Sequence, residues 1–259
     1  MPVRISSFNP KERFSNRVEA YLKYRPHYPA ELIPYFKESI NLSPDDVLAD
    51  IGSGTGFLAE LFLEAGNVVY GVEPNKEMRE AGERYLRRYP KFRSIAGSAE
   101  QTFLNDHSID ILTAAQAFHW FERDNFRREC SRILRGKSVV CLLWNERNLD
   151  ATPFLEEYEM LLKRFSTDYE QIRHDNVIED DMRSFFGTGN FTSAKFPYDQ
   201  KLDFDGIRGR LLSSSYVPSE DDPRSDEMLK SLERIFQSHQ ADNRVELLYV
   251  TKVYWGTLS

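Results

Sequence analysis

The chain has 259 residues, 41% of them hydrophobic, which is enough for one substantial core with insertions. A net charge of −7 leaves no general basic field to attract nucleic acid or an anionic membrane, and only a local basic patch could do so. No apolar run approaches a membrane span or the core of a signal peptide. Cys130 and Cys141 lack metal-ligand spacing, so the expectation is a metal-free cytoplasmic protein with reduced, packed thiols.

Residues 1–40 carry no strand signal. Phe14, Val18, Tyr21 and Leu22 recur at helical spacing until Tyr24-Arg25-Pro26-His27-Tyr28-Pro29 stops the helix, which predicts a helical N-terminal arm. Residues 41–150 alternate strands and helices, with strands expected at Val47–Ile51, Val68–Glu73, Phe92–Ala96, Ile109–Ala115 and Ser138–Trp144. Such alternation demands a parallel, doubly wound sheet.

Its first strand runs into Asp50-Ile51-Gly52-Ser53-Gly54-Thr55-Gly56, followed by a helix over Phe57–Leu63. Glycines there let the backbone approach a ligand closely, and the helix start offers unpaired N–H groups. A second strand ends in Glu73, about twenty residues after Gly52, the spacing at which a carboxylate meets ribose hydroxyls. A nicotinamide-type G-x-G-x-x-G loop would place its third glycine one position later, where Phe57 stands, so a dehydrogenase is the weaker reading.

Residues 151–243 are polar and irregular. Amphipathic helices are expected at Pro153–Arg164 and Ser225–His239, a strand within Phe191–Phe204 and a short helix at Asp205–Ser213, before a serine-rich turn. Residues 244–259 close the chain with a long strand from Arg244 to Trp255.

The glycine loop, Val72-Glu73-Pro74-Asn75 with Met78, Ala96-Gly97-Ser98-Ala99-Glu100, and Asp110 through Trp120 occur in an order and spacing that resemble the class I S-adenosylmethionine-dependent methyltransferases. The resemblance covers the first 150 residues. It implies an α/β, Rossmann-like, doubly wound sheet of seven mostly parallel strands with one antiparallel strand in an edge hairpin, plus the helical arm and a cap over a substrate pocket. It also implies S-adenosylmethionine as cofactor. Asp50, Gly52, Gly54, Thr55 and Gly56 would hold its amino acid end, Glu73 its ribose, and Met78 would lie against the adenosine or fill the core.

Family members often have an aspartate where Ser98 stands, so Ala99 or Glu100 would complete the adenine contact. Ser98 and Gln101 also have the spacing of a helix capping box. Gln116, past the fourth strand, is placed for the cofactor's amino acid end. His119 could orient or deprotonate an acceptor, or be a satisfied structural histidine. Trp120 and Trp144 either wall the pocket or cover the core.

Tyr24-Arg25-Pro26, Ala117 through Phe121 and the Arg208–Tyr216 segment resemble, more narrowly, the small-molecule group that includes trans-aconitate methyltransferase-like proteins. A carboxylated small-molecule acceptor would give Arg25, Arg147 or Arg208 a clear task, the alternative for each being a surface salt bridge. The alternatives are a protein or nucleic acid acceptor, which the acidic balance disfavours for nucleic acid, and a protein that binds the cofactor without chemistry.

Overall fold

A computed structural model describes residues 18–166, 169, 179–187, 191–219 and 221–258. Phe14, predicted to begin the arm helix, lies outside them. Among the described residues, seven strands form one sheet in the order β3-β2-β1-β4-β5-β7-β6. The strands are β1 (Val47–Ile51), β2 (Val68–Val72), β3 (Phe92–Ile95), β4 (Ile109–Ala115), β5 (Leu134–Arg147), β6 (Thr192–Leu202) and β7 (Val245–Thr257). β1 to β5 pair in parallel, whereas β7 is inserted antiparallel between β5 and β6 to complete the edge hairpin.

The parallel strands are apolar on both faces because helices cover both. One face packs Ala49, Ile51, Leu112, Phe118, Phe126 and Phe186, and the other packs Leu48, Val69, Ile111, Leu143, Phe36 and Phe62. α1 (Val18–Tyr24) and α2 (Leu32–Ser39) form the arm. α3 (Phe57–Glu64), α4 (Lys76–Tyr85) and α5 (Arg123–Ile133) are the crossovers. No helix among the described residues is long and apolar enough to cross a membrane.

Beyond the crossovers come α6 (Pro153–Phe165), α7 (Glu179–Phe186), α8 (Phe204–Leu212) and α9 (Ser225–His239). α6, α8 and α9 build a third core around Tyr158, Leu162, Ile207, Leu211, Leu232 and Phe236. Val245, Leu247 and Tyr249 of β7 enter this third core, while Val253, further along the same strand, packs under the sheet. One strand therefore joins cap to sheet.

Two local expectations change. The fifth strand extends past Trp144 through the polar Asn145-Glu146-Arg147, because β7 supplies a ladder that ends at Arg147 opposite Tyr249. No helix begins at Ser98. Instead the Ser98 N–H donates to the Gln101 carbonyl at 3.0 Å and the Gln101 N–H returns to Ser98 at 3.3 Å, closing a tight turn where a capping box was expected.

Candidate active site

The site lies at the carboxyl edge of the sheet, where β1 and β4 are neighbours and their crossovers leave in opposite directions. Chain reversal at that point leaves a crevice. Asp50, the penultimate residue of β1, lies opposite Thr113 of β4, whose hydroxyl donates to its carboxylate at 2.9 Å. Only 2% of Asp50 is exposed. Burial pushes its pKa up and the neighbouring Glu73 adds to this, while the Thr113 bond opposes it, leaving the carboxyl at about 7.

Gly52, Gly54 and Gly56 all have positive φ. At Gly52 the requirement is double, since a Cβ there would come within 2.7 Å of the Ala117 Cβ. The turn is tied to β2 by Gly52 N–H to Val72 O at 2.8 Å. Glu73 follows β2, and its carboxylate accepts from Gly54 N–H at 2.9 Å and Asn75 N–H at 2.8 Å. Burial raises its pKa against these two bonds. Thr55 Oγ1 is buried without a partner among the described residues.

Gln116 leaves β4 with φ of 57°, a left-handed conformation uncommon outside glycine and one that marks functional turns. Its side-chain amide donates to Asn145 O at 3.1 Å. Asn145 in turn donates to His27 O at 3.0 Å and accepts from Thr251 Oγ1 at 2.6 Å, which fastens the arm to the ends of β5 and β7.

Opposite the glycine loop the cavity is lined by Arg25 of the arm, Arg147 of β5, Arg210 of α8, and Tyr169, Tyr216 and Tyr249. Arg25 Nη2 donates to Ser213 O at 3.0 Å and Ser214 Oγ at 3.5 Å. Arg210 donates to Ser214 Oγ and to the Tyr249 hydroxyl, both at 3.1 Å. Arg147 donates to the Tyr169 hydroxyl at 2.6 Å and to Glu159 at 3.3 Å. Burial raises the Tyr216 phenol, but Arg147, Arg210 and Arg25 outweigh it and hold the group below its ordinary value.

Of the residues singled out in the sequence, Asp50, Gly52, Gly54, Thr55, Gln116, His119, Trp120, Arg25 and Arg147 line this one cavity. Gly56 turns the loop into α3 beside Leu86. Glu73 and Met78 flank Gly54 from beneath, with Met78 packed against Val18, Tyr21 and Leu22 of the arm. Ala99 is in the core, and Glu100 accepts from Glu122 N–H at 3.0 Å.

Three of the residues expected on the acceptor side do not reach the cavity. Trp144, 2% exposed, points into the core against Phe118 and Tyr254. Tyr24 packs its ring on Gly209 of α8. Arg208 faces a separate groove among α1, α4 and α8, because two residues along a helix turn the side chain to the opposite side. Arg210 takes the place expected of Arg208. Its position was legible, since Ile207, Arg210 and Leu211 fall at i, i+3 and i+4 on the buried face. Tyr249 is likewise marked by the alternation Val245, Leu247, Tyr249 on β7.

Residues 49–142 match the methyltransferase domain family. An uncharacterised methyltransferase-like protein of Schizosaccharomyces pombe is 24% identical over 249 residues, 93% of either chain. An uncharacterised Mycobacterium tuberculosis methyltransferase is 35% identical over 135 residues, covering 52% of this chain and 53% of that one. Among solved structures, a provisionally assigned type II methyltransferase from Anaeromyxobacter dehalogenans superposes with TM-score 0.70 at 21% identity, over 91% of this chain and 98% of its own. The chain is thus similar to methyltransferases, the solved structure bearing on the fold alone, and that similarity implies S-adenosylmethionine as the cofactor. The residues present fit that cofactor: a carboxylate and a glycine turn at the β1 end, a second carboxylate after β2, and the unpartnered Thr55 hydroxyl between them.

Proposed function

We propose that the protein transfers a methyl group from S-adenosylmethionine to a small, carboxylated acceptor held in the cavity above the glycine loop. The observation that carries this reading is the meeting of Arg25, Arg147 and Arg210 there, drawn from three different elements, with Arg210 and the Arg147 side chain buried and Arg25 half-buried. Guanidinium groups recognise carboxylates through paired, charge-assisted hydrogen bonds. When bound, the cofactor supplies an electrophilic methyl on its sulfonium.

The chain's own residues position and enclose. Asp50 and Gln116 receive an amino acid end, and Glu73 accepts from vicinal hydroxyls. The arm, tied to β5 by Asn145 and to the cap by Arg25, excludes water from a displacement that requires fixed, in-line geometry. His119 and Trp120 wall the acceptor side beside Gln116. A cavity closed by its own arm favours a small acceptor over a protein or nucleic acid.

Incubating the protein with radiolabelled cofactor and a panel of small carboxylic acids should place the label on an acid. Label appearing only on protein or nucleic acid would overturn the acceptor assignment, and cofactor binding without any turnover would favour a binding protein. S-Adenosylhomocysteine should bind and nicotinamide dinucleotides should bind poorly in calorimetry.

Glu73→Ala should weaken S-adenosylhomocysteine binding about tenfold or more, since a hydrogen bond to a charged group contributes about 1.5–3 kcal/mol. Circular dichroism should confirm the fold. Unchanged affinity in a folded variant would remove Glu73 from the site.

A further inference from the structure

Arg25, Arg147 and Arg210 are unequally compensated. Arg147 has Glu159 as its acidic partner at 3.3 Å. Arg25 and Arg210 have none among the described residues: they share the Ser214 hydroxyl, and their other acceptors are the Ser213 carbonyl and the Tyr249 hydroxyl, all neutral. Two guanidiniums around one hydroxyl repel each other, and the burial of Arg210 and half-burial of Arg25 reduce the water that would screen them. Arg25 Nε and Arg147 Nη1 are moreover buried without hydrogen-bond partners among the described residues, so donors as well as charge are left over.

The bound donor does not remove this excess. Its ammonium and carboxylate cancel, its sulfonium adds a positive charge, and Asp50 offsets one. Glu146, the other acid on the cavity wall, is engaged by Lys252.

We infer that the acceptor is a dianion, bearing two negative charges that the Arg25–Arg210 pair and the free edge of Arg147 receive together. The inference rests on the proposed methyl transfer to an acid and specifies that acid further. Two carboxylates or one phosphomonoester would supply the charge. A monocarboxylate would leave one guanidinium buried without a counter-charge.

The test uses the full chain saturated with S-adenosylhomocysteine and calorimetry as readout. Succinate and glutarate are compared with their monoamides, which keep the size and remove one charge, and glycerol 3-phosphate represents the compact dianion. Dianions should bind about tenfold or more tighter than the monoamides, the scale of one charge-assisted contact. Arg25→Gln should abolish that preference, with S-adenosylhomocysteine affinity and circular dichroism reporting that the donor site and fold survive. Arg25→Lys should restore part of it.

If glycerol 3-phosphate binds tighter than both diacids, the dianion is a phosphomonoester; the reverse order identifies a dicarboxylate. Monoamides binding as tightly as diacids, or a preference that survives Arg25→Gln, would refute the second charge while leaving a carboxylated acceptor in place. Binding of S-adenosylhomocysteine with none of the probes would remove both.

Discussion

Asp50→Asn is expected to weaken S-adenosylhomocysteine binding by about 10- to 100-fold at pH 7.5, the loss of a buried, charge-assisted contact to an ammonium group. It should also flatten the pH dependence of that binding. With its carboxyl at about 7, Asp50 is largely protonated in the free protein at pH 6. An ammonium group recruits the ionised form. Binding therefore releases a proton below pH 7, so affinity rises with pH up to about 7 and then levels. Calorimetry in buffers of different ionisation enthalpy would measure the proton directly, and a pH-independent affinity in the wild type would refute the assignment.

The same shift fixes a stability trend of opposite sign. Because the folded-state pKa lies above the ordinary value of 3.8, the folded protein holds a proton that the unfolded chain releases between about pH 4 and pH 7. Asp50 therefore makes the ligand-free protein less stable as pH rises through that window, by at most about 1.4 kcal/mol per pH unit, and contributes no further change above it. Asp50→Asn should remove this component from a denaturation series across pH, most visibly between pH 5 and pH 7.

The donor end was legible in the sequence because its chemistry is local. A buried strand, three glycines with positive φ and two carboxylates about twenty residues apart occupy one βαβ unit, and their order determines their geometry. The acceptor end was only half legible. Arg25 meets Ser213 and Ser214 from 188 and 189 residues away in sequence, and Arg210 of α8 meets Tyr249 of β7, so no spacing announces either contact. Helical phase alone separates Arg210 from Arg208, a distinction visible only when the buried face of α8 is assigned first. Trp144 was ambiguous for the opposite reason: strand alternation would place it on the core side, but its position at a strand end also suits a pocket wall.

Gly209 sits inside α8, where alanine ordinarily stabilises a helix by about 0.5–1 kcal/mol. Here a Cβ would lie 2.1–2.4 Å from the Tyr24 ring, which must shift if the methyl is added. Tyr24 is the last residue of α1, its carbonyl accepts from Gln200 Nε2 at 3.3 Å, and Arg25 follows it immediately. Moving the ring therefore lifts the arm from the cap and draws Arg25 away from Ser213.

Gly209→Ala should accordingly lower the melting temperature rather than raise it and reduce kcat/KM about tenfold or more, through an acceptor end left open to water. Hydrogen exchange with S-adenosylhomocysteine bound should show added protection at residues 18–28 and 204–217 in the wild type and a diminished gain in the variant. The decisive comparison is a double-mutant cycle. In a Tyr24→Ala background the same Gly209→Ala change has nothing to strike, and should be neutral or stabilising, so the effect of one methyl group reverses sign. A Gly209→Ala protein more stable than the wild type, with unaltered exchange in the arm, would mean that Tyr24 is not wedged against α8 and that the arm is held by something other than this contact.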